Sequence, residues 1–108
     1  MKEQRAHARK LMHEQAYLAD ATMTSWVPVV LLDISECGIS FASPAVMIGD
    51  ALRQLQFRMP GSPLLHRALI HIVHHSTSGA SVGFKVGARF EEISADTRDA
   101  IIDFVSKP

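Results

Sequence analysis

Six of the 108 residues are histidine, and His71, His74 and His75 fall within five positions, a density that raises metal binding as a candidate chemistry. In an extended segment residues 71 and 75 share one face and residue 74 takes the other. No Cys-x-x-Cys or His-Glu-x-x-His spacing accompanies them. The cluster therefore reads as polar strand residues, and no metal site is expected. Cys37 is the single cysteine. A nucleophilic thiolate needs a base or cation beside it, and none is legible in the sequence, so Cys37 reads as a small turn residue next to Gly38. No glycine-rich phosphate loop opens a helix, and no nucleophile–base–orienter set is visible; no enzyme is expected, and no cofactor. Two short patterns remain. Arg5-Ala6-His7-Ala8-Arg9 is R-x-x-x-R, and Asp33-Ile34-Ser35-Glu36-Cys37-Gly38 is D-x-S-x-x-G. Taken singly, the first is a basic arm or a solvated helix face. The second is turn chemistry, with short polar side chains bonding nearby amides.

What must position these residues follows from composition and periodicity. With 47% hydrophobic residues, the chain has enough apolar material for one core in one domain. Eleven Lys+Arg balance eleven Asp+Glu, which argues against bulk binding of nucleic acid. The charge is nevertheless segregated. Residues 1–10 carry four basic residues against one acidic (+3), and residues 91–108 carry two against five (−3). The polar start lacks the apolar run of a signal peptide, and no stretch approaches the roughly 20 apolar residues of a membrane span. No membrane insertion is expected, and a reducing cytoplasm is the expected compartment.

Most of the chain has period two, the mark of half-buried strands. A weak run spans Gln15 to Ala21, and a strong one spans Trp26 to Ile34. Ser35-Glu36-Cys37-Gly38 turns the chain into Ile39-Ser40-Phe41, giving a hairpin. Pro28 cannot donate to a ladder and implies an edge or a bulge. Further runs cover Ala51 to Met59, Leu64 to His75 and about Ser81 to Glu91. The period then changes. Ser94 is the N-cap of a helix over about 94–107, with Asp96 in its first turn and an apolar stripe of Ile101, Ile102, Phe104 and Val105. Trp26 and Tyr17 read as core or rim residues. Five or six strands and one helix predict a small antiparallel barrel capped by its C-terminal helix.

With both motifs on these elements and in this order, nearly the whole chain resembles the PilZ domain family of bacterial cyclic di-GMP receptors. Arg5 and Arg9 match the family's R-x-x-x-R on the N-terminal arm. About two dozen residues on, Asp33, Ser35 and Gly38 match its D/N-x-S-x-x-G. Val86-Gly87-Ala88-Arg89-Phe90 is similar to its last-strand signature. The resemblance implies a mainly β fold: a six-stranded antiparallel barrel over residues 13–108 with a C-terminal helix, preceded by a flexible basic arm over residues 1–12. Gln4 stands where common family patterns carry a further arginine, which leaves the number of ligands per protomer open.

The resemblance further implies a cyclic di-GMP site at Arg5, Arg9, Asp33, Ser35 and Gly38, with His7 as a secondary contact or a plain spacer. The chemistry is consistent. Guanine O6 and N7 are two acceptors that match an arginine fork, and guanidinium also stacks on rings and pairs with phosphate. Asp33 can accept from guanine N1–H and N2–H, and Ser35 offers a hydroxyl nearby. Glycine at 38 would permit backbone conformations closed to other residues and keep the surface clear. The expected function is a receptor or adaptor whose arm orders on nucleotide binding and which signals through an effector protein in trans. The alternative is a PilZ-like protein-interaction module that binds no nucleotide.

Overall fold

A computed structural model describes residues 8–20, 24–44, 51–77 and 83–107 of the chain. Six strands, β1 (Arg9–Ala19), β2 (Trp26–Ser35), β3 (Gly38–Ser43), β4 (Leu52–Phe57), β5 (His66–Thr77) and β6 (Phe84–Ile93), precede one helix, α1 (Ala95–Ser106). Neighbouring strands are antiparallel, in the order β1-β2-β3-β6-β5-β4, and the barrel closes where Tyr17 and Leu18 of β1 pair with Gln56 and Leu55 of β4. Closure thus joins the two outermost strands of the sheet over these two residue pairs and reduces the edge left open to another chain.

Alternation determines what fills the barrel. Leu31, Ile39, Phe41, Leu55, Phe57, Ile70, Ile72 and Val86 point inward and are almost wholly buried. The lumen is therefore a packed core, and any ligand must sit on the outer wall. Ile101 of α1 joins this core at 0% exposure, with Ala100, Phe104 and Val105 packed around it. Burying an isoleucine is worth ~1.5–3 kcal/mol, and a twelve-residue helix needs such docking to persist. Ser94 caps α1 by accepting from the Thr97 amide at 3.1 Å.

Several expectations change in detail. β1 begins at Arg9, six residues before the Gln15 expected from the pattern. The inward positions near its start, such as Lys10 and Met12, are only half-buried and do not read as a core face. Ile102 leaves the apolar stripe and is 38% exposed, while Thr97 is buried in its place. Pro28 pairs with Tyr17 of β1 but lies beyond the last β2–β3 pair, Val30↔Ala42, so its missing N–H costs no bond there. Trp26 and Tyr17 are about 40% exposed and belong to the rim. The register of β5 against β6 shifts between Ile72 and His74, so strict alternation does not run through the histidine segment. The side chains of His74 and His75 lie outside what is described.

Lys10 shows where part of the basic N-terminal charge goes. Its Nζ donates to the carbonyls of Phe104 (3.1 Å) and Lys107 (3.0 Å) and sits 4.3 Å over the Phe104 ring. A cation from β1 thus meets the negative end of the α1 dipole.

His66 links α1 to the barrel. Its Nδ1 lies 2.9 Å from Thr97 Oγ1, which accepts from Ser94 Oγ at 3.1 Å. The Thr97 hydroxyl is left to donate to Nδ1, which fits a neutral ring. Desolvation lowers the His66 pKa from its ordinary 6.5, against a smaller upward pull from Asp96. The unfolded chain therefore takes up a proton more readily, and stability is fully present above pH 6.5 and declines as pH falls toward the lowered folded value. Urea unfolding at pH 7.5 and 5.5 is expected to show a lower midpoint at pH 5.5, and His66→Gln is expected to reduce that difference. An unchanged difference in the variant would remove His66 as the cause.

Candidate ligand-binding site

The hairpin that carries D-x-S-x-x-G is built by its own side chains. Ser35, 2% exposed, accepts from the amides of Cys37 (3.3 Å) and Gly38 (3.1 Å), so its hydroxyl is engaged inside the turn. Gly38 opens β3 opposite Arg89 of β6. Among the described glycines only Gly61 and Gly83 have positive φ, so of the two reasons expected for Gly38 the conformational one does not apply. A Cβ there would lie 2.7 Å from the Ala88 carbonyl oxygen. The residue must be small because β6 backbone passes directly over it.

Asp33 faces outward one strand away from Arg9. Arg9 Nη1 donates to Asp33 Oδ1, and Ser40 Oγ of β3 donates to Oδ2 at 2.7 Å. The pair joins the two motifs across 24 residues of chain. Asp33 is only 13% exposed while Arg9 is 44% exposed, so the carboxylate is fixed and the guanidinium stands at the cleft's edge.

These groups line a shallow cleft on the outer wall, across β1, β2, β3, β6 and β5. Gly38, Ser40 and Gly87 make its floor, Arg9 and Asp33 one side, and Val73, Lys85 and Arg89 the other. The structure thus brings together Arg9, Asp33, Ser35 and Gly38. Arg5 and His7 lie outside the described residues. Ser40, Lys85 and Arg89 join the cleft from outside the expected set. The outward alternation of Lys85 and Arg89 is readable in the sequence, but their neighbours across β3 are not, because pairing β3 with β6 is a long-range fact. Among the described residues no three His, Cys, Asp or Glu side chains group as a metal site, and no helix is long and apolar enough to cross a membrane.

Barrel, capping helix and lateral cleft define a small β-barrel domain whose candidate site lies on its outer wall. The model of the PilZ domain family matches residues 3–107. The chain belongs to the PilZ domain family. No curated protein matches it. Among solved structures it is similar to the Bacillus subtilis inhibitor of motility MotI/DgrA, with a TM-score of 0.82 and 15% identity over 97% of this chain and 51% of that one. It is similar to Escherichia coli YcgR in complex with c-di-GMP, with a TM-score of 0.77 and 15% identity over 96% of this chain and 45% of that one. The PilZ domain of CeSA from a cellulose-synthesizing bacterium gives a TM-score of 0.63 at 16% identity over 91% of this chain and 94% of that one. The chain spans about half the length of the first two of these.

Proposed function

We propose that this chain is a cytoplasmic, non-enzymatic receptor for cyclic di-GMP, bound in the cleft by Arg5, Arg9, Asp33, Ser35 and Gly38. The observation that carries this reading is the contact between the two motifs: Arg9 of R-x-x-x-R bonds Asp33 of D-x-S-x-x-G over a floor of small residues. Asp33, held by Arg9 and Ser40, presents a fixed carboxylate to the guanine N1–H and N2–H donors. Arg5 and Arg9 supply forks for the O6/N7 edge or for phosphate. Ser35 and Gly38 keep the hairpin in shape beside them. His7 is a secondary contact at most.

Arg9, the last residue of R-x-x-x-R, opens β1 and lines the cleft. Nucleotide bound by Arg5 and Arg9 would order the N-terminal arm against the barrel, and an effector protein in trans would read the ordered form. Calorimetric titration with cyclic di-GMP is expected to give saturable binding that Arg5→Ala weakens about tenfold, the scale of one charge-assisted hydrogen bond of ~1.4 kcal/mol. A wild-type chain that takes up no nucleotide would end the receptor reading. Backbone amide relaxation of residues 2–8 that is identical with and without nucleotide would remove its conformational part.

A further inference from the structure

Cyclic di-GMP carries two negative charges; among the motif residues proposed to bind it, the Arg9–Asp33 pair is neutral, so Arg5 alone adds positive charge and does not balance both. Arg9 is matched by Asp33 within the cleft, so that pair contributes no net charge toward phosphate. Two cations stand on the opposite side. Lys85 and Arg89 point outward from β6, on either side of Gly87, and pair in register with Ala42 and Gly38 of β3, while Gly87 pairs with Ser40. Four residues of strand put their Cα atoms ~13 Å apart. Both long side chains can therefore reach a group lying over the Gly87–Ser40 floor.

Among the described residues neither cation is held in a tight ion pair. Arg89 Nε is 3.8 Å from Glu91 Oε1, with the two side chains 55% and 45% exposed. A loose pair of this kind contributes ~0–1 kcal/mol, so leaving it for a phosphate costs little. Lys85 is exposed and has no ion-pair partner among the described residues. We infer that Lys85 and Arg89 are the phosphate-facing cations of this cleft, supplying two positive charges to the two phosphates of a cyclic dinucleotide while Arg9 and Asp33 hold a base. The inference rests on the receptor reading and extends it to residues outside both motifs.

Charged groups that meet phosphate leave a signature that a purely structural role does not: salt screens the attraction, so affinity falls as ionic strength rises. Cyclic di-GMP would be titrated into the wild type, Lys85→Ala, Arg89→Ala, Arg89→Lys and the Lys85→Ala/Arg89→Ala double variant at several salt concentrations. Each alanine variant is expected to bind about tenfold more weakly. Each should also weaken the dependence of affinity on salt, because one screened cation–phosphate attraction is gone. Arg89→Lys is expected to keep the wild-type salt dependence, because it keeps the charge. Both side chains are exposed, so melting temperatures should stay at the wild-type value. If the double variant keeps wild-type affinity and salt dependence while Arg9→Ala loses binding, this inference is overturned and the receptor reading stands. If the wild type itself does not bind, both are overturned.

Discussion

Gly38→Ala is expected to weaken the barrel and its cleft together. The new methyl would sit 2.7 Å from the Ala88 carbonyl oxygen and 3.5 Å from the Arg89 Cα, and both are backbone atoms that cannot swing aside. Relief requires β3 and β6 to move apart at the point where Gly38 pairs with Arg89 and the Phe90 amide donates to the Cys37 carbonyl at 2.8 Å. Overpacking of this kind costs ~1–3 kcal/mol, which for a domain of this size lowers the melting temperature by roughly 5–20 °C. The same displacement spreads the floor of the cleft, so cyclic di-GMP affinity should fall with it. Gly61→Ala provides the contrast. Gly61 has φ +78° and open space around its missing Cβ, so its substitution carries only the left-handed backbone cost of ~1–2 kcal/mol. It should lower the melting temperature by roughly 4–16 °C and, unlike Gly38→Ala, leave nucleotide binding intact. A Gly38→Ala protein with wild-type melting and binding would show that β6 yields freely at this point.

The difference between these glycines marks where sequence reading stops. D-x-S-x-x-G is local, and Ser35 bonding to two amides within three residues is legible from residue types alone. The reason for Gly38 is not, because the obstructing carbonyl belongs to Ala88, which is distant in sequence and adjacent only through the β3–β6 pairing. Lys10 behaves the same way. In the sequence it is one more charge of a basic arm, yet its ammonium closes the C-terminal end of a helix 94 residues on. Periodicity locates all six strands and the helix, since alternation survives wherever one face is buried. It misses the start of β1, where neither face is fully buried. The cleft's second side is hidden for a topological reason. β3 pairs with β6, skipping two strands in sequence, and only that pairing sets Lys85 and Arg89 beside the D-x-S-x-x-G hairpin.

The second large effect is expected at Asp33. Its carboxylate receives Arg9 from β1 and Ser40 from β3, so removing it strands two donors at once. Ser40 is 5% exposed, and a buried hydroxyl left without its acceptor costs ~1–3 kcal/mol. Asp33→Ala should therefore lower stability as well as binding, whereas Arg9→Ala, which removes a half-exposed side chain and leaves the Ser40 bond in place, should lower binding with little change in melting. For each, cyclic di-GMP affinity is expected to fall about 5- to 150-fold, the range set by one bidentate base interaction of ~1–3 kcal/mol. If the two side chains hold one guanine as a unit, the double variant loses less than the product of the single losses, and the coupling in the cycle is of order 0.5–3 kcal/mol. Asp33→Asn keeps one acceptor oxygen for Ser40 and for the base, so it should melt near the wild type and bind better than Asp33→Ala. Multiplicative losses at the two sites would separate Arg9 from Asp33 in ligand recognition and make their pairing a feature of the empty cleft alone.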